Sequence, residues 1–320
     1  MKRITREQAH VFAIDHLLDP VITVKPGERF VLETEDAADG YLRDETILPK
    51  PENRPTHVTN PPLLNPVAGP VVIEGAEKGD TIKVIVENIA PDTQGYTILE
   101  PGLGLFGDSI RHPKIAEYLT RILHITPDES GNLRDGDCSL NVNTHWKLAP
   151  FIGTLCLAPE REILSTVMIQ GPYGGNLDSR EFCAGAHIYL NCYHDGGLLF
   201  AGDVHGSQGD GELTGTANEI RAELTLSCDV LKGKSIPHVR VERSDTLIGL
   251  FCDKPLENAV RGAVSNLLDW MTVEFEMDKC EAYLLIGTCP DFRINIYQMV
   301  DIPGFSYTVG AEIPRKYVSM

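Results

Sequence analysis

Long apolar runs are missing from this 320-residue sequence, and none approaches the roughly 18 residues that a membrane span requires. The opening residues MKRITREQAHVFAIDH carry basic side chains with no apolar stretch behind them, so no secretory signal is read there. Basic residues are scarce: 28 Lys and Arg stand against 46 Asp and Glu, for a net charge of −18. A surface with that field repels nucleic-acid phosphates and anionic lipid, and it suits a small neutral or cationic partner. The eight cysteines (138, 156, 183, 192, 228, 252, 280 and 289) contain no C-x-x-C pair, so reduced, mostly buried thiols are expected. Neither an internal repeat nor a low-complexity tract interrupts the chain. These absences leave a cytoplasmic enzyme or binding protein as the starting class.

What is present reads mainly as strands. Residues 29–34 follow a Pro26-Gly27 turn, residues 81–89 follow Lys78-Gly79-Asp80, and both alternate as half-buried strands do. Further β-rich runs cover 71–73, 121–126, 163–169, 186–192, 221–226 and 238–242. The 29 glycines and 21 prolines punctuate them closely, which favours a mainly β body of sandwich, jelly-roll or barrel type over a parallel α/β sheet. From Leu256 to Met271 an apolar stripe at helical spacing predicts a helix. Residues 278–287 predict a second, with Asp278 as N-cap and Gly287 as C-cap, and 293–300 return as a strand. We therefore expect an N-terminal β-sandwich domain over 1–150, a site-bearing β region over 151–254 and a small α+β portion over 255–320.

A decoy lies at Gly102-Leu103-Gly104-Leu105-Phe106-Gly107, which fits G-x-G-x-x-G. Pro113 stands where an opening helix would run and no βαβ unit surrounds it, so a glycine-rich loop near a pocket is expected instead.

The informative stretch runs from Gly171 to Glu219. Gly174 and Gly175 allow close backbone approach to a ligand and expose N–H groups to an anionic oxygen, while Asp178 closes that loop. An apolar strand at 198–202 leads into Asp203 and His205, whose i, i+2 spacing aims both at one face while Val204 faces the other. Such a pair offers two metal ligands, or an aspartate that orients a histidine base. Asp210, Glu212, Glu219 and Glu223 follow. Gathering these acids around one imidazole is costly unless a cation or protons neutralise them. Oxygen ligands with one imidazole suit Zn²⁺ with an open water position, or Ca²⁺ where carboxylates dominate. His57, ahead of Asn60-Pro61-Pro62, and His145, beside Trp146, read as structural histidines first.

These blocks carry a resemblance. GPYGGNLD at 171–178, LLFAGDVHGSQGDGELTGTANE at 198–219 and NPVAGPVVIEGAEKGDTIKV at 65–84 resemble the acetamidase/formamidase family, in the same order. VITVKPGERFVLETED at 21–36 resembles that family's opening strands, and the likeness spans about residues 10 to 315. It implies a metal-containing, mainly β, oligomeric enzyme that hydrolyses short aliphatic amides such as formamide and acetamide. Carried over residue by residue, it implies Asp36, Asp178, Asp203 and His205 as metal ligands. It places Glu212 or Glu219 as the proton carrier, with Gly174, Gly175 and Asn176 beside the substrate oxyanion. Leu177 and Ser179 depart from the family's usual flanks, and 145–157 matches loosely. Two other classes stay open: a cysteine nucleophile, Cys183 or Cys192 beside His187 or His194, and a non-catalytic β-sandwich holding a structural Ca²⁺.

Overall fold

The computed structural model describes residues 1–8, 10–55 and 63–318. His57 and the Asn60-Pro61-Pro62 loop lie outside them. Eighteen strands among the described residues join in one curled, largely antiparallel sheet, a half-barrel with two helices near the C-terminus. The expected mainly β body with a small α+β tail is what forms. Its spine is the antiparallel pair of Thr81–Leu99 and Glu219–Leu231, running from Leu231 opposite Thr81 to Glu219 opposite Tyr96 with shifts of register between Ile220 and Ala222 and between Thr225 and Leu226. Two pairings among the described residues are parallel, Lys2–Ile4 with Phe30–Thr34 and Ile22–Val24 with Val67–Ile73.

Alternating apolar positions explain where the core sits. Ile82, Val84 and Val86 are fully buried, as are Leu224 and Leu226 on the facing strand. One apolar cluster extends from Ile4 to Tyr297 and so draws on all three expected segments. The Phe151–Leu157 and Leu199–His205 strands are buried along their entire lengths, which makes the middle of the sheet a rigid platform.

The helix Leu256–Val273 packs its Ala259, Ala263, Leu267 and Met271 stripe onto Val309, Ala311 and Ile313 of the Tyr307–Pro314 strand. Helix and sheet approach closely at Gly249, where a Cβ would stand 2.6 Å from Leu267 N. In the second helix, Lys279–Thr288, Asp278 caps as expected by accepting from Cys280 N and Glu281 N. Gly287 is not the C-cap; the helix runs through it and ends at Cys289 in an extended conformation. The expected strand over 163–169 also shortens to Leu164–Ser165, because Met168 N and Ile169 N turn back onto Ser165 O. No helix among the described residues is long and apolar enough to cross a membrane.

Candidate metal centre and active site

Sheet register builds the site. On the Phe151–Leu157 strand, Thr154 lies cross-strand from Asn176 on one side and from Gly202 on the other. His205, ending its strand, lies directly opposite Glu219, the first residue of the next. Asp178 and Asp203 flank the same point. Asp178, Asp203, His205, Glu212 and Glu219 are all buried, and they form two overlapping groups with ligand atoms within 4.8 Å of one another.

Backbone geometry marks the place. Seven non-glycine residues among those described have positive φ, and four of them are Asn65 (52°), Asp178 (48°), Asp203 (53°) and Glu212 (47°). Left-handed backbone is costly for such residues and persists where surrounding structure enforces it, commonly at functional sites. Asp203 and His205 do converge, with Asp203 Oδ1 3.7 Å from His205 Nε2. Strand alternation is only part of the cause, because Asp203 itself is turned out of extended geometry.

Each side chain is held from behind. Asp203 Oδ2 accepts from Asn65 Nδ2 at 2.9 Å and lies 3.1 Å from the Thr154 hydroxyl. That hydroxyl is also 3.1 Å from Asn176 Oδ1, while Asn176 Nδ2 donates to Val167 O. Glu219 Oε1 accepts from Ala217 N at 2.8 Å. The Gln208 carboxamide donates from Nε2 to Asp178 O and Tyr297 O, which turns its Oε1 toward His205 Nδ1 at 2.8 Å. His205 Nδ1 therefore carries the hydrogen, and Nε2 is presented to the acids.

What remains is a set of atoms with no hydrogen-bond partner. Asp178 Oδ1, Asp203 Oδ1 and Glu219 Oε2 are buried and accept no hydrogen bond. They lie 3.9, 3.7 and 3.3 Å from His205 Nε2 respectively. Buried carboxylate oxygens left this way are expensive unless positive charge meets them. Burial first, then Asp203 and Glu219, push the Asp178 carboxyl up to about 8, against the pull of His205. Glu212 is driven well above the usual carboxylate range by burial and by Asp178. For His205 burial alone would lower the imidazole, but Glu219 and Asp203 outweigh it and hold it well above its ordinary value. Protons are thus drawn to a place where one divalent cation would serve the same need. The donor set of carboxylate oxygens with one imidazole nitrogen fits such a cation.

Three of the four residues implied as ligands meet here, and Asp36 does not. Its Oδ1 caps a turn by accepting from Ala38 N and Gly40 N, and its Oδ2 is 2.6 Å from Arg43 Nη2. The Asp-Ala-Ala-Asp-Gly sequence makes it a turn-forming acid, already paired. Gly174 and Gly175 also change role. Both are buried in the sheet, where a Cβ would stand 2.2 Å from Leu155 O and 2.1 Å from Ile169 O, and neither lines the cavity. They permit strand packing and present no amide to a ligand there. Asp210 turns outward to Arg180, and Glu223 to Arg3. The sequence pattern does not single out Asn65, Thr154 or Gln208, which the structure brings to the site. A lone Gly-Thr pair inside the otherwise apolar strand 151–157 was the available signal.

The cluster opens on a cavity of about 320 Å³. Pro101, Gly102 and Leu103 line it, which places the glycine-rich loop beside a pocket as expected. The thiols are elsewhere engaged: burial raises Cys183 and pushes Cys192 up to about 11, and Cys192 Sγ donates to His194 O at 3.0 Å.

Comparison with known proteins agrees with this architecture. The profile of the acetamidase/formamidase family matches residues 15–171 and 170–316. An acetamidase of Mycolicibacterium smegmatis is 26% identical, across 84% of this chain and 82% of its own. The crystal structure of an acetamidase from Yersinia enterocolitica superposes with a TM-score of 0.87 at 29% identity, covering 100% of this chain and 93% of that one. An acetamidase from Bacillus halodurans gives 0.85 at 25%, covering 98% of each. The matched span takes in the sheet, the acidic cluster and the C-terminal helices, and the chain belongs to the acetamidase/formamidase family, as an amidohydrolase acting on linear amides.

Proposed function

We propose that this chain hydrolyses a neutral aliphatic amide, with formamide and acetamide as its smallest members, to carboxylate and ammonium at a divalent metal centre. The observation that carries the reading is the convergence of Asp178 Oδ1, Asp203 Oδ1 and Glu219 Oε2, all without a hydrogen bond, on His205 Nε2 beside a cavity. Asp178, Asp203 and His205 would hold the cation, with Zn²⁺ as first choice and Ca²⁺ second. A cation bound there supplies Lewis-acid polarisation of the amide carbonyl and lowers the pKa of water.

The protein's own groups then divide the proton work. Glu219 keeps one oxygen on Ala217 N and turns the other, unpartnered, into the site, where it takes the proton of the attacking water. Glu212, whose carboxyl burial and Asp178 raise well above the usual carboxylate range, gives its proton to the departing nitrogen. Asn65 and Thr154 hold Asp203 in place. A thiol nucleophile finds no support in Cys183 or Cys192, whose thiols burial keeps protonated.

The test is direct. Purified protein is expected to contain stoichiometric divalent metal and to release ammonia from acetamide. Undiminished turnover after complete removal of metal would refute the role given to the cation.

A further inference from the structure

The cavity in front of the acidic cluster is larger than its smallest amides need. Its volume is about 320 Å³, against the roughly 150 Å³ of an apolar cavity that holds a benzene ring. Acetamide has only four non-hydrogen atoms. Away from the cluster the walls are mostly apolar, with Leu42, Leu64, Ile98, Leu103, Val167 and Phe305 among them and Tyr41, Tyr96 and Thr216 as polar exceptions. The charged residues of those walls are Arg54 and Glu100, and they neutralise each other through Arg54 Nη2, 2.7 and 2.6 Å from the two carboxylate oxygens. Among the described residues of the walls no free charge is left to recognise a charged acyl group. An apolar chain gains by leaving water for such walls, whereas acetamide would leave most of the space to be filled by water.

We propose that the preferred substrate is a neutral primary amide with an apolar acyl chain of about four to six carbons. This specificity rests on the amide-hydrolysis reading above. The size class comes from the cavity volume, and the neutral apolar character comes from the paired Arg54 and Glu100.

The experiment is a chain-length series on the purified holoenzyme, with ammonia release from formamide, acetamide, butanamide and hexanamide. Burial of each added methylene is expected to raise kcat/KM about fourfold. Leu103→Trp, which fills part of the cavity, is expected to lower the ratio of kcat/KM for hexanamide to that for acetamide at least tenfold. A kcat/KM that falls with every methylene beyond acetamide, in an enzyme that does release ammonia, overturns the chain-length inference and leaves amide hydrolysis standing. Absence of ammonia from all four amides overturns the amidase reading itself, and the chain-length inference with it.

Discussion

Gly153 lies against Asp203 so closely that a Cβ built on it would stand 2.5 Å from the Asp203 carbonyl oxygen. The same Cβ would meet Asp178 Oδ1 at 3.0 Å and Asp203 Oδ2 at 3.1 Å. The two aspartates can flank one point because the strand between them carries no side chain there. Gly153→Ala is therefore expected to destabilise by about 1–3 kcal/mol through overpacking. It should also lower kcat by on the order of a hundredfold, by displacing site groups. Gly287→Ala serves as the control, since nothing lies within 4 Å of its Cβ and it sits inside a helix. That control should leave activity intact and gain about 0.5–1 kcal/mol. Thermal melts and ammonia-release kinetics on both variants check the contrast; equal behaviour would refute the steric argument.

A second prediction concerns Gln208. Its carboxamide is locked by two carbonyl acceptors, and its oxygen fixes the hydrogen on His205 Nδ1. Gln208→Leu removes that acceptor and frees the imidazole to take either tautomer. Metal affinity is expected to fall about 10- to 100-fold, measured by titration against a competing chelator. Gln208→Glu keeps an oxygen toward Nδ1 and should lose less. Affinity unchanged in both variants would remove Gln208 from the positioning role.

The legible parts of this molecule are those set by local pattern. The apolar stripe of residues 256–271 became a helix, Asp278 became its neighbour's cap, and the 199–205 strand delivered Asp203 and His205 to one place. Long-range register was not legible. Nothing in the chain announces that Thr154 lies between Asn176 and Gly202, or that His205 faces Glu219. Asp36 was misplaced for a related reason. Its position at the end of an early strand is shared with a ligand-bearing pattern, but the turn that follows and Arg43 had already claimed both of its oxygens. Gly174 and Gly175 invited a ligand-binding reading, because glycine serves a close strand contact and an open amide equally well.

A third prediction lies away from the site. His238 is buried, its Nδ1 has no partner, and its ring rests 4.7 Å from that of Phe251. Burial lowers the imidazole from 6.5 to about 4. The folded state therefore binds fewer protons than the unfolded state. The stability contribution is complete above pH 6.5 and is lost as the pH falls toward 4. Between pH 7 and 4.5 this one group should cost roughly 2–3 kcal/mol. His238→Phe is expected to flatten that part of the profile, read from urea midpoints at the two pH values. A variant profile parallel to that of the parent would exclude His238 as a source of the acid sensitivity.

The last prediction separates holding the metal from moving protons. Asp203 presents one unpartnered oxygen to the cluster while Asn65 and Thr154 hold the other. Replacing it with Asn swaps a charged ligand oxygen for a neutral amide at the same position. Asp203→Asn should lose bound metal and turnover together. Glu212 is different: burial and Asp178 raise its carboxyl well above the usual carboxylate range, and Glu212→Gln keeps much of its shape without a charge. Metal content should then stay near stoichiometric while kcat falls about 10²- to 10⁴-fold, the usual range for loss of a general acid. Metal analysis beside ammonia-release kinetics distinguishes the two effects. If Glu212→Gln turns over normally and Glu219→Gln does not, the proton delivered to the leaving nitrogen comes from Glu219 instead, and the division of labour drawn above is reversed.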